Sequence, residues 1–207
     1  MNFFKRLLSA CKSEVEESVE MKYLIVGLGN VGAEYENTRH NIGFMVADAL
    51  VNSAGVKWEL DRHAFRAEVR HRGRKLIVIK PTTFMNLSGK AVKYWMQTEK
   101  IPLENVLVVV DDIALPVGTL RMKKQGSDGG HNGLANIAAM VGSVNYCRLR
   151  IGVGDNFSRG RQIDYVLGQF TGEESAALEP KIGQAVEMIN TFCTQGPDRA
   201  MNMFNGK

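Results

Sequence analysis

The chain contains the stretch Val106-Leu107-Val108-Val109-Val110-Asp111-Asp112, in which five apolar residues in a row lead into two acids. A short run of β-branched and apolar residues is typical of a strand that is covered on both faces, as the central strands of parallel sheets are. A second run of this kind occupies residues 23–26 and is closed by Gly27. These two runs predict a sheet whose central strands are buried beneath helices.

Strand and helix patterns alternate around these two runs. The predicted strands are residues 23–26, 65–69, 76–79, 106–110, 118–124 and 148–151. Apolar residues recur at helical spacing in residues 41–54, 91–98, 134–140 and 182–189. Pro180 is suited to the first turn of the last helix. The predicted fold class is therefore α/β, a single domain with a mixed, twisted β-sheet surrounded by α-helices.

The composition is that of a globular protein with one core. Of the 207 residues, 44% are hydrophobic and 23% are charged, which argues against a membrane protein and against a disordered chain. The chain has three cysteines, Cys11, Cys147 and Cys193, and no CxxC motif. We therefore expect neither a disulfide framework nor a thiolate zinc site, and we favour a cytoplasmic location. The net charge of +4 has the sign expected of a protein that binds phosphates.

The first twenty residues differ from the rest of the chain. Residues 3–11 superficially resemble a lipoprotein signal, but the apolar run after Lys5 and Arg6 is only Leu7-Leu8, whereas a signal needs ~7–15 apolar residues. An acidic stretch follows, and a strand pattern begins directly after Met21. We expect residues 1–20 to form a flexible N-terminal extension and residues 21–207 to form the domain.

Residues 27–32 match the pattern G-x-G-x-x-G directly after a predicted strand, so a nicotinamide oxidoreductase is one alternative. It is disfavoured because loop residues follow where a helix should open, and because Asp48, at the required distance, lies in a helical pattern. The chain has no G-x-S-x-G elbow, no P-loop and no H-E-x-x-H motif. A hydrolase with this sequence would use water that is activated by a side chain.

Four polar residues lie just beyond the ends of predicted strands or follow the glycine-rich loop at residues 126–130. They are Asn30, Asn86, Asp111 and Asn132. Open α/β sheets bind ligands at the carboxyl ends of their strands, so these side chains could converge on one pocket. Any one of them alone would more often be a turn or cap residue, but the four together favour a site.

The four histidines divide into two groups. His63 and His71 lie among several arginines, and we interpret them as part of a solvated basic face. His40 and His131 lie in loops at strand ends, where functional residues concentrate. Neutral imidazole is available as a base near pH 7, because its unperturbed pKa is ~6.5.

Five blocks of sequence carry a family resemblance. They are residues 27–30 (GLGN), 38–43 (TRHNIG), 81–89 (PTTFMNLSG), 129–134 (GGHNGL) and 148–152 (RLRIG). In this order they resemble the bacterial-type peptidyl-tRNA hydrolases, and the resemblance runs from Met21 to about residue 205. That family cleaves the ester between a peptide and the 3′-terminal ribose of tRNA, recycling tRNA from prematurely released peptidyl-tRNA, without a metal or a cofactor.

The resemblance implies a role for each matching residue. His40 would be the catalytic base and Asp111 the acid that orients it. Phe84 and Met85 would line the peptide cleft, and Tyr35 would lie near the terminal nucleotide. The remaining substrate contacts would be Asn30, Asn86 and Asn132, with Arg121, Lys123 and Arg150 on tRNA phosphates.

The implied partner is peptidyl-tRNA, bound through its acceptor stem and its nascent peptide, by a cytoplasmic monomer with no membrane contact. An alternative of a different class stays open, namely a non-catalytic RNA-binding module that keeps the basic surface without the chemistry. Release of tRNA from an N-blocked aminoacyl-tRNA would distinguish the two.

Overall fold

A computed structural model of the chain describes residues 20–206. The predicted N-terminal extension therefore lies outside the described residues, apart from Glu20. No helix of the described part is both long enough and apolar enough to cross a membrane.

Seven strands form one mixed sheet in the order β2-β3-β4-β1-β5-β7-β6. The strands are β1 Lys22–Gly27, β2 Glu59–Asp61, β3 Ala64–His71, β4 Arg74–Pro81, β5 Val106–Asp112, β6 Leu120–Lys123 and β7 Cys147–Gly152. The four central strands, β4, β1, β5 and β7, run parallel to one another, and antiparallel strands complete the sheet on both sides. The apolar runs of β1 and β5 are fully buried, as their sequences predict.

Within residues 20–206, six α-helices accompany the sheet: α1 Ile42–Ser53, α2 Ser88–Glu99, α3 Asn132–Val141, α4 Gln162–Val166, α5 Gly172–Gln195 and α6 Pro197–Phe204. The buried apolar residues form two clusters, one on each face of the sheet. One cluster includes residues of α1, α5 and α6, and the other includes residues of α2 and α3. The α/β prediction is confirmed, with a mixed sheet that is covered on both faces.

The predicted start of the last helix is wrong. The helix α5 begins at Gly172 and not near Pro180, which lies inside it. Its true start is marked by a capping box, in which the Thr171 hydroxyl accepts from the Glu174 N–H at 3.2 Å and the Glu174 carboxylate accepts from the Thr171 N–H at 2.7 Å. The T-x-x-E spacing that precedes the apolar pattern was the available signal. The short elements β2, α4 and α6 were also not predicted.

Gly27, the last residue of β1, allows α1 to pack closely against the strand. A Cβ atom on Gly27 would lie 2.3 Å from the carbonyl oxygen of Gly43 in α1, so α1 approaches the strand this closely only because the residue is glycine. After Gly32 the chain forms a 3-10 turn at Ala33–Tyr35 and not the helix that a dinucleotide fingerprint requires. The first glycine of the pattern thus serves helix packing, and the turn after the last glycine does not match a dinucleotide fingerprint.

The parallel register brings the carboxyl ends of three strands to one edge of the sheet. Val26 of β1 pairs with Ile79 of β4 and with Val108 of β5. The loops that leave this edge, together with the end of β5, carry most of the polar residues singled out above. Ligand sites of open α/β sheets form at such edges.

Candidate active site

His40 and Asp111 are in direct contact at this edge. His40 lies in a 3-10 turn that leads into α1, and Asp111 lies near the end of β5. Although 71 positions separate them, Nδ1 of His40 is 2.9 Å from Oδ1 of Asp111. The side chain of His40 is 14% exposed and that of Asp111 is 4% exposed. The imidazole therefore reaches a cleft while its carboxylate partner is shielded from water.

A second imidazole, that of His131, contacts the same carboxylate oxygen, with Nε2 of His131 3.0 Å from Oδ1 of Asp111. Nδ1 of His131 accepts the backbone N–H groups of Gly133 and Leu134, at 3.1 and 3.3 Å. Because Nδ1 is an acceptor, the hydrogen bonds assign the proton of neutral His131 to Nε2, which donates it to Asp111. Sequence reasoning placed His131 in a promising loop but did not include it in the site. Its position beside Asn132 in the GGHNG block was the available signal.

The two imidazoles determine the ionisation of Asp111. Burial by itself would raise the pKa of this carboxyl group, but its electrostatic and hydrogen-bond interactions with His131 and His40 outweigh burial and hold the pKa well below its usual range. Asp111 is therefore ionised and accepts an N–H from each ring. This arrangement assigns the proton of neutral His40 to Nδ1 and leaves its Nε2 free to accept a proton.

The same three residues invite comparison with a metal centre, since ligand atoms of His40, Asp111 and His131 lie within 4.8 Å of one another. Both nitrogens that face the carboxylate carry protons in the arrangement above, and metal binding would have to displace both protons. The donor set therefore suits a carboxylate shared by two imidazoles better than it suits a metal ion.

The cleft beside His40 has a volume of about 470 Å³. Most of the residues that the sequence analysis assigned to the site line this cleft. Those that line it are Asn30, His40, Phe84, Met85, Asn86, Asp111, Asn132 and Arg150. The structure does not place Tyr35, Arg121 or Lys123 in the cleft lining. The carboxylate and all three amides predicted from strand ends do meet there.

Asn30 is held in place by two neighbouring loops. Its Oδ1 accepts the Met85 N–H at 3.1 Å. The side chain of Asn41 binds the Asn30 backbone twice, accepting its N–H at 2.8 Å and donating to its carbonyl at 2.9 Å. Since Oδ1 is engaged, the amino group of Asn30 is the part that can donate to a ligand. Sequence reasoning did not single out Asn41, because its role depends on this fold contact.

One wall of the cleft comes from the unpredicted helix α4 and the residue after it, through Gln162, Ile163, Val166 and Leu167. Ile163 is 72% exposed, and Phe84 on the cleft lining is 69% exposed. Large apolar side chains left open to water around a polar centre mark a binding groove. The cleft thus combines an apolar rim with polar groups at its floor.

A row of basic residues follows the antiparallel strands β6 and β7. The register pairs Arg121 with Arg150 and Lys123 with Arg148. Arg121 and Lys123 are exposed, whereas Nη1 of Arg150 lies 3.3 Å from Asp112. Arg150 therefore links this basic row to the cleft.

Arg148 has a different role from the other basic residues of β6 and β7. It is 1% exposed and donates to the carbonyl oxygens of Gly126, Ser127 and Val144 at 2.8 to 3.0 Å. These bonds hold the glycine-rich loop that leads to His131. Arg148 is thus an internal support for the site.

Tyr35 lies half-buried at the end of the 3-10 turn after β1. Its neighbours Ala33 and Glu36 border a second cavity, of about 440 Å³, which shares Asn30 with the cleft. Tyr35 is therefore close to the site in the chain but does not line the cleft.

Comparison with known proteins gives one consistent result. The family model described as peptidyl-tRNA hydrolase matches residues 24–207. The chain is 58% identical over 187 residues to a peptidyl-tRNA hydrolase of Cytophaga hutchinsonii, an alignment that covers 90% of this chain and all of the relative. A peptidyl-tRNA hydrolase of Bacteroides fragilis is 56% identical with the same coverage.

A solved structure gives the same result for the fold. The crystal structure of peptidyl-tRNA hydrolase from Acinetobacter baumannii is 33% identical in sequence and superposes with a TM-score of 0.84. The superposition covers 89% of this chain and 94% of the other.

Proposed function

The chain belongs to the peptidyl-tRNA hydrolase family, and from that membership we propose that it hydrolyses the ester bond between the peptide and the 3′-terminal ribose of peptidyl-tRNA. The reaction returns free tRNA from peptidyl-tRNA that has been released prematurely. The observation that carries the mechanism is the 2.9 Å contact between Nδ1 of His40 and the ionised carboxylate of Asp111 at the floor of an open cleft.

In this mechanism, His40 is the general base and water is the nucleophile. Nε2 of His40 takes a proton from water as the water oxygen bonds to the ester carbonyl carbon. Asp111 holds the ring in the tautomer that presents Nε2 and stabilises the imidazolium that forms. When the bond to the ribose oxygen breaks, the imidazolium returns its proton to that oxygen. No acyl-enzyme is formed, and no metal or cofactor is needed.

His131 supports the same step through the carboxylate oxygen that contacts His40. Its donated hydrogen bond to Oδ1 stabilises the charged form of Asp111, and its contacts with two backbone N–H groups fix the orientation of its ring. A second hydrogen bond to this oxygen helps to keep it aligned with His40, which is the alignment that base catalysis requires.

The three amides of the cleft bind the reacting part of the substrate. Asn30, Asn86 and Asn132 can donate to the developing oxyanion or bind the peptide backbone, because an amide side chain both donates and accepts. Neutral groups suit an enzyme that accepts nascent peptides of any sequence. Phe84 and Met85 would pack against the peptide, while Tyr35 would lie near the terminal nucleotide.

The basic row binds the acceptor stem of the tRNA. Arg121, Lys123 and Arg150 would contact phosphates, which attract cations whatever the base sequence is. This mode of binding suits a substrate class that includes many different tRNAs. The continuity of the row with the cleft through Arg150 supports a path from the phosphates to the ester.

We propose further that the enzyme works as a cytoplasmic monomer. Residues of a single chain line the whole cleft, so a second copy is not required to complete it. Cys147 and Cys193 are buried free thiols, as is usual in a reducing compartment.

An assay of purified protein with an N-blocked aminoacyl-tRNA tests the proposal. We expect release of free tRNA and blocked amino acid in the presence of a chelator and without any added nucleotide. Tight binding of the tRNA with no release would instead favour a non-catalytic RNA-binding module. Turnover that stops in the chelator would overturn the metal-free mechanism.

A further inference from the structure

Arg39, the residue directly before His40, is a buried cation that the mechanism does not use. It is 7% exposed. Its Nη1 donates to the carbonyl oxygens of Tyr165, Gly168 and Gln169, at 3.4, 3.2 and 2.8 Å. All three acceptors belong to the segment that begins in α4. The guanidinium therefore joins the loop of the proposed base to a distant part of the chain.

Further contacts hold this guanidinium in one orientation. Its Nη2 donates to Glu174 at 2.7 Å. The guanidinium carbon lies 4.2 Å from the ring centre of Tyr165 and 5.4 Å from that of Phe170. The Arg39 backbone N–H also donates to the Gly168 carbonyl at 3.0 Å. The contacts form a lock between the His40 loop and residues 165–174.

The helix on the other side of this lock has little other support, apart from the Tyr165 hydroxyl, which donates to the Val153 carbonyl at 2.7 Å. The helix α4 contains five residues, none of which is buried, and it has no side-chain cap. Isolated helices of this length are not stable. Yet Ile163, Val166 and the following Leu167 form one wall of the cleft, so the position of this wall depends on what anchors the end of the helix.

From this geometry we propose that Arg39 is a positioning residue that fixes α4 as a wall of the cleft and thereby sets the KM for the peptide part of the substrate. The inference rests on the proposed function, because it takes the α4 wall as part of the peptide site. Arg39 does not touch the imidazole–carboxylate pair, so its loss should weaken substrate binding more than the chemical step.

Arginine is the residue type that this role requires. A planar guanidinium can donate in several directions at once and stack on aromatic rings, whereas an ammonium is a compact charge without a flat face. Arg39→Lys therefore keeps the positive charge and the ion pair with Glu174 but loses the stacking and most of the carbonyl contacts.

The test is steady-state kinetics of Arg39→Lys on N-blocked aminoacyl-tRNA. We expect KM to rise about tenfold with kcat within about twofold, the pattern of lost binding, and with the pH dependence of kcat unchanged. A merely structural role would lower the active fraction, and so the apparent kcat, while KM stayed the same; that outcome overturns the proposal. Arg70→Lys is the matched control, since Arg70 also binds a glutamate, Glu68, at 3.2 Å but lies on the β3–β4 hairpin.

A double-mutant cycle with Leu167→Ala shows whether the effect passes through the wall. Leu167→Ala alone should raise KM, and Arg39→Lys should add little in that background. Full additivity would overturn the proposal. If Arg39→Lys does not fold, Glu174→Gln supplies a milder loss of the same lock, and an unchanged KM there would also refute it. Absence of turnover in the wild-type protein would refute the proposed function, whereas an active wild type with a normal KM in Arg39→Lys refutes only this inference.

Discussion

The cleft and the antiparallel strands β2 to β4 with their turns (residues 59–81, called the hairpin below) each carry two histidines, and the surroundings of the two pairs are opposite. His40 and His131 share a buried carboxylate at 2.9 and 3.0 Å. The pKa of His63 is lowered by burial and by the nearby charges of Lys90 and Arg62. For His71, burial is again the main cause of a lowered pKa, and Arg72 adds to it.

The difference teaches that a histidine becomes a base through its partner. In the cleft an anion accepts a hydrogen bond from each ring and fixes its orientation. On the hairpin, neighbouring cations oppose protonation and no carboxylate holds the ring. Residue type alone does not distinguish the two pairs of histidines. The charged groups that the fold places around each ring do distinguish them.

The same contrast holds for the basic side chains of the two regions. On the hairpin, Glu68 binds Arg66 at 3.4 Å, Arg70 at 3.2 Å and Lys75 at 2.7 Å. On β6, Arg121 and Lys123 form no ion pair with any described residue. Cations that are already paired have less to offer a phosphate, so we interpret Arg66, Arg70 and Lys75 as structural, and Arg121 and Lys123 as part of a binding surface.

The largest effect should come from His40→Ala. Loss of a general base costs about 10²–10⁴ in rate, so we expect kcat to fall about a thousandfold while the affinity for tRNA stays near wild type and the protein stays folded, with a thermal midpoint a few degrees lower because Asp111 loses one hydrogen bond. His63→Ala on the hairpin is the control and should keep full activity. A loss of folding in His40→Ala, or equal losses in both variants, would contradict the distinction between the two pairs.

An intermediate effect is expected from His131→Ala. Removing one of two hydrogen bonds to a buried carboxylate should lower kcat about tenfold and destabilise the protein by roughly 1–3 kcal/mol. The pKa of Asp111 should rise. A carboxyl group whose folded pKa is lowered stabilises the folded state at every pH above its unfolded pKa of ~3.9. This stabilisation disappears as the pH falls through the folded pKa.

The stability difference between His131→Ala and wild type should therefore be constant near neutral pH and shrink as the pH falls below about 4, through the raised folded pKa of the variant toward that of wild type, as denaturant titrations between about pH 2 and pH 7 can measure. His131→Gln, which keeps an N–H donor, should restore part of kcat. A pH-independent loss of stability would show that His131 acts by packing alone.

A smaller effect should follow from Lys123→Gln. Loss of one phosphate contact should raise KM several-fold at low salt and reduce the slope of log KM against log salt by about one. Arg70→Gln removes a paired cation from the hairpin and should leave both quantities unchanged. Equal effects of the two substitutions would mean that the hairpin also binds tRNA.

Much of the fold could be predicted from local sequence because its central strands are uninterrupted apolar runs. Residues 23–26 and 106–110 are buried by parallel neighbours on both sides, and such strands show themselves as continuous hydrophobic stretches. The same reasoning put Asn30, Asn86 and Asp111 at one edge. Two of the three missed elements, β2 and α4, are three and five residues long, too short to show a period.

The details of the site could be predicted less well, because they depend on contacts between distant residues. The bond between Arg39 and Glu174 spans 135 positions, and nothing in the local sequence of either residue indicates it. The shared use of Asp111 by His131 depends on the path of the glycine-rich loop, which Arg148 sets from within the core. The pairing of His40 with Asp111 was expected only through the family resemblance, since strand-end position alone does not choose partners.

The smallest effect concerns the hairpin histidines and the stability of the fold. The folded pKa of His63 and that of His71 are both lowered. Between the folded pKa and the unfolded value of ~6.5, these residues therefore bind more protons in the unfolded chain than in the folded chain. Their contribution to the free energy of unfolding rises with pH across that window. Replacing both by glutamine, His63→Gln with His71→Gln, should flatten the dependence of the thermal midpoint on pH below about pH 7, by no more than about 2 °C. Activity at pH 7.5 should not change. If the thermal midpoint of the double variant depends on pH as steeply as that of wild type, other groups cause the dependence. That result would contradict the electrostatic difference between the hairpin and the cleft histidines.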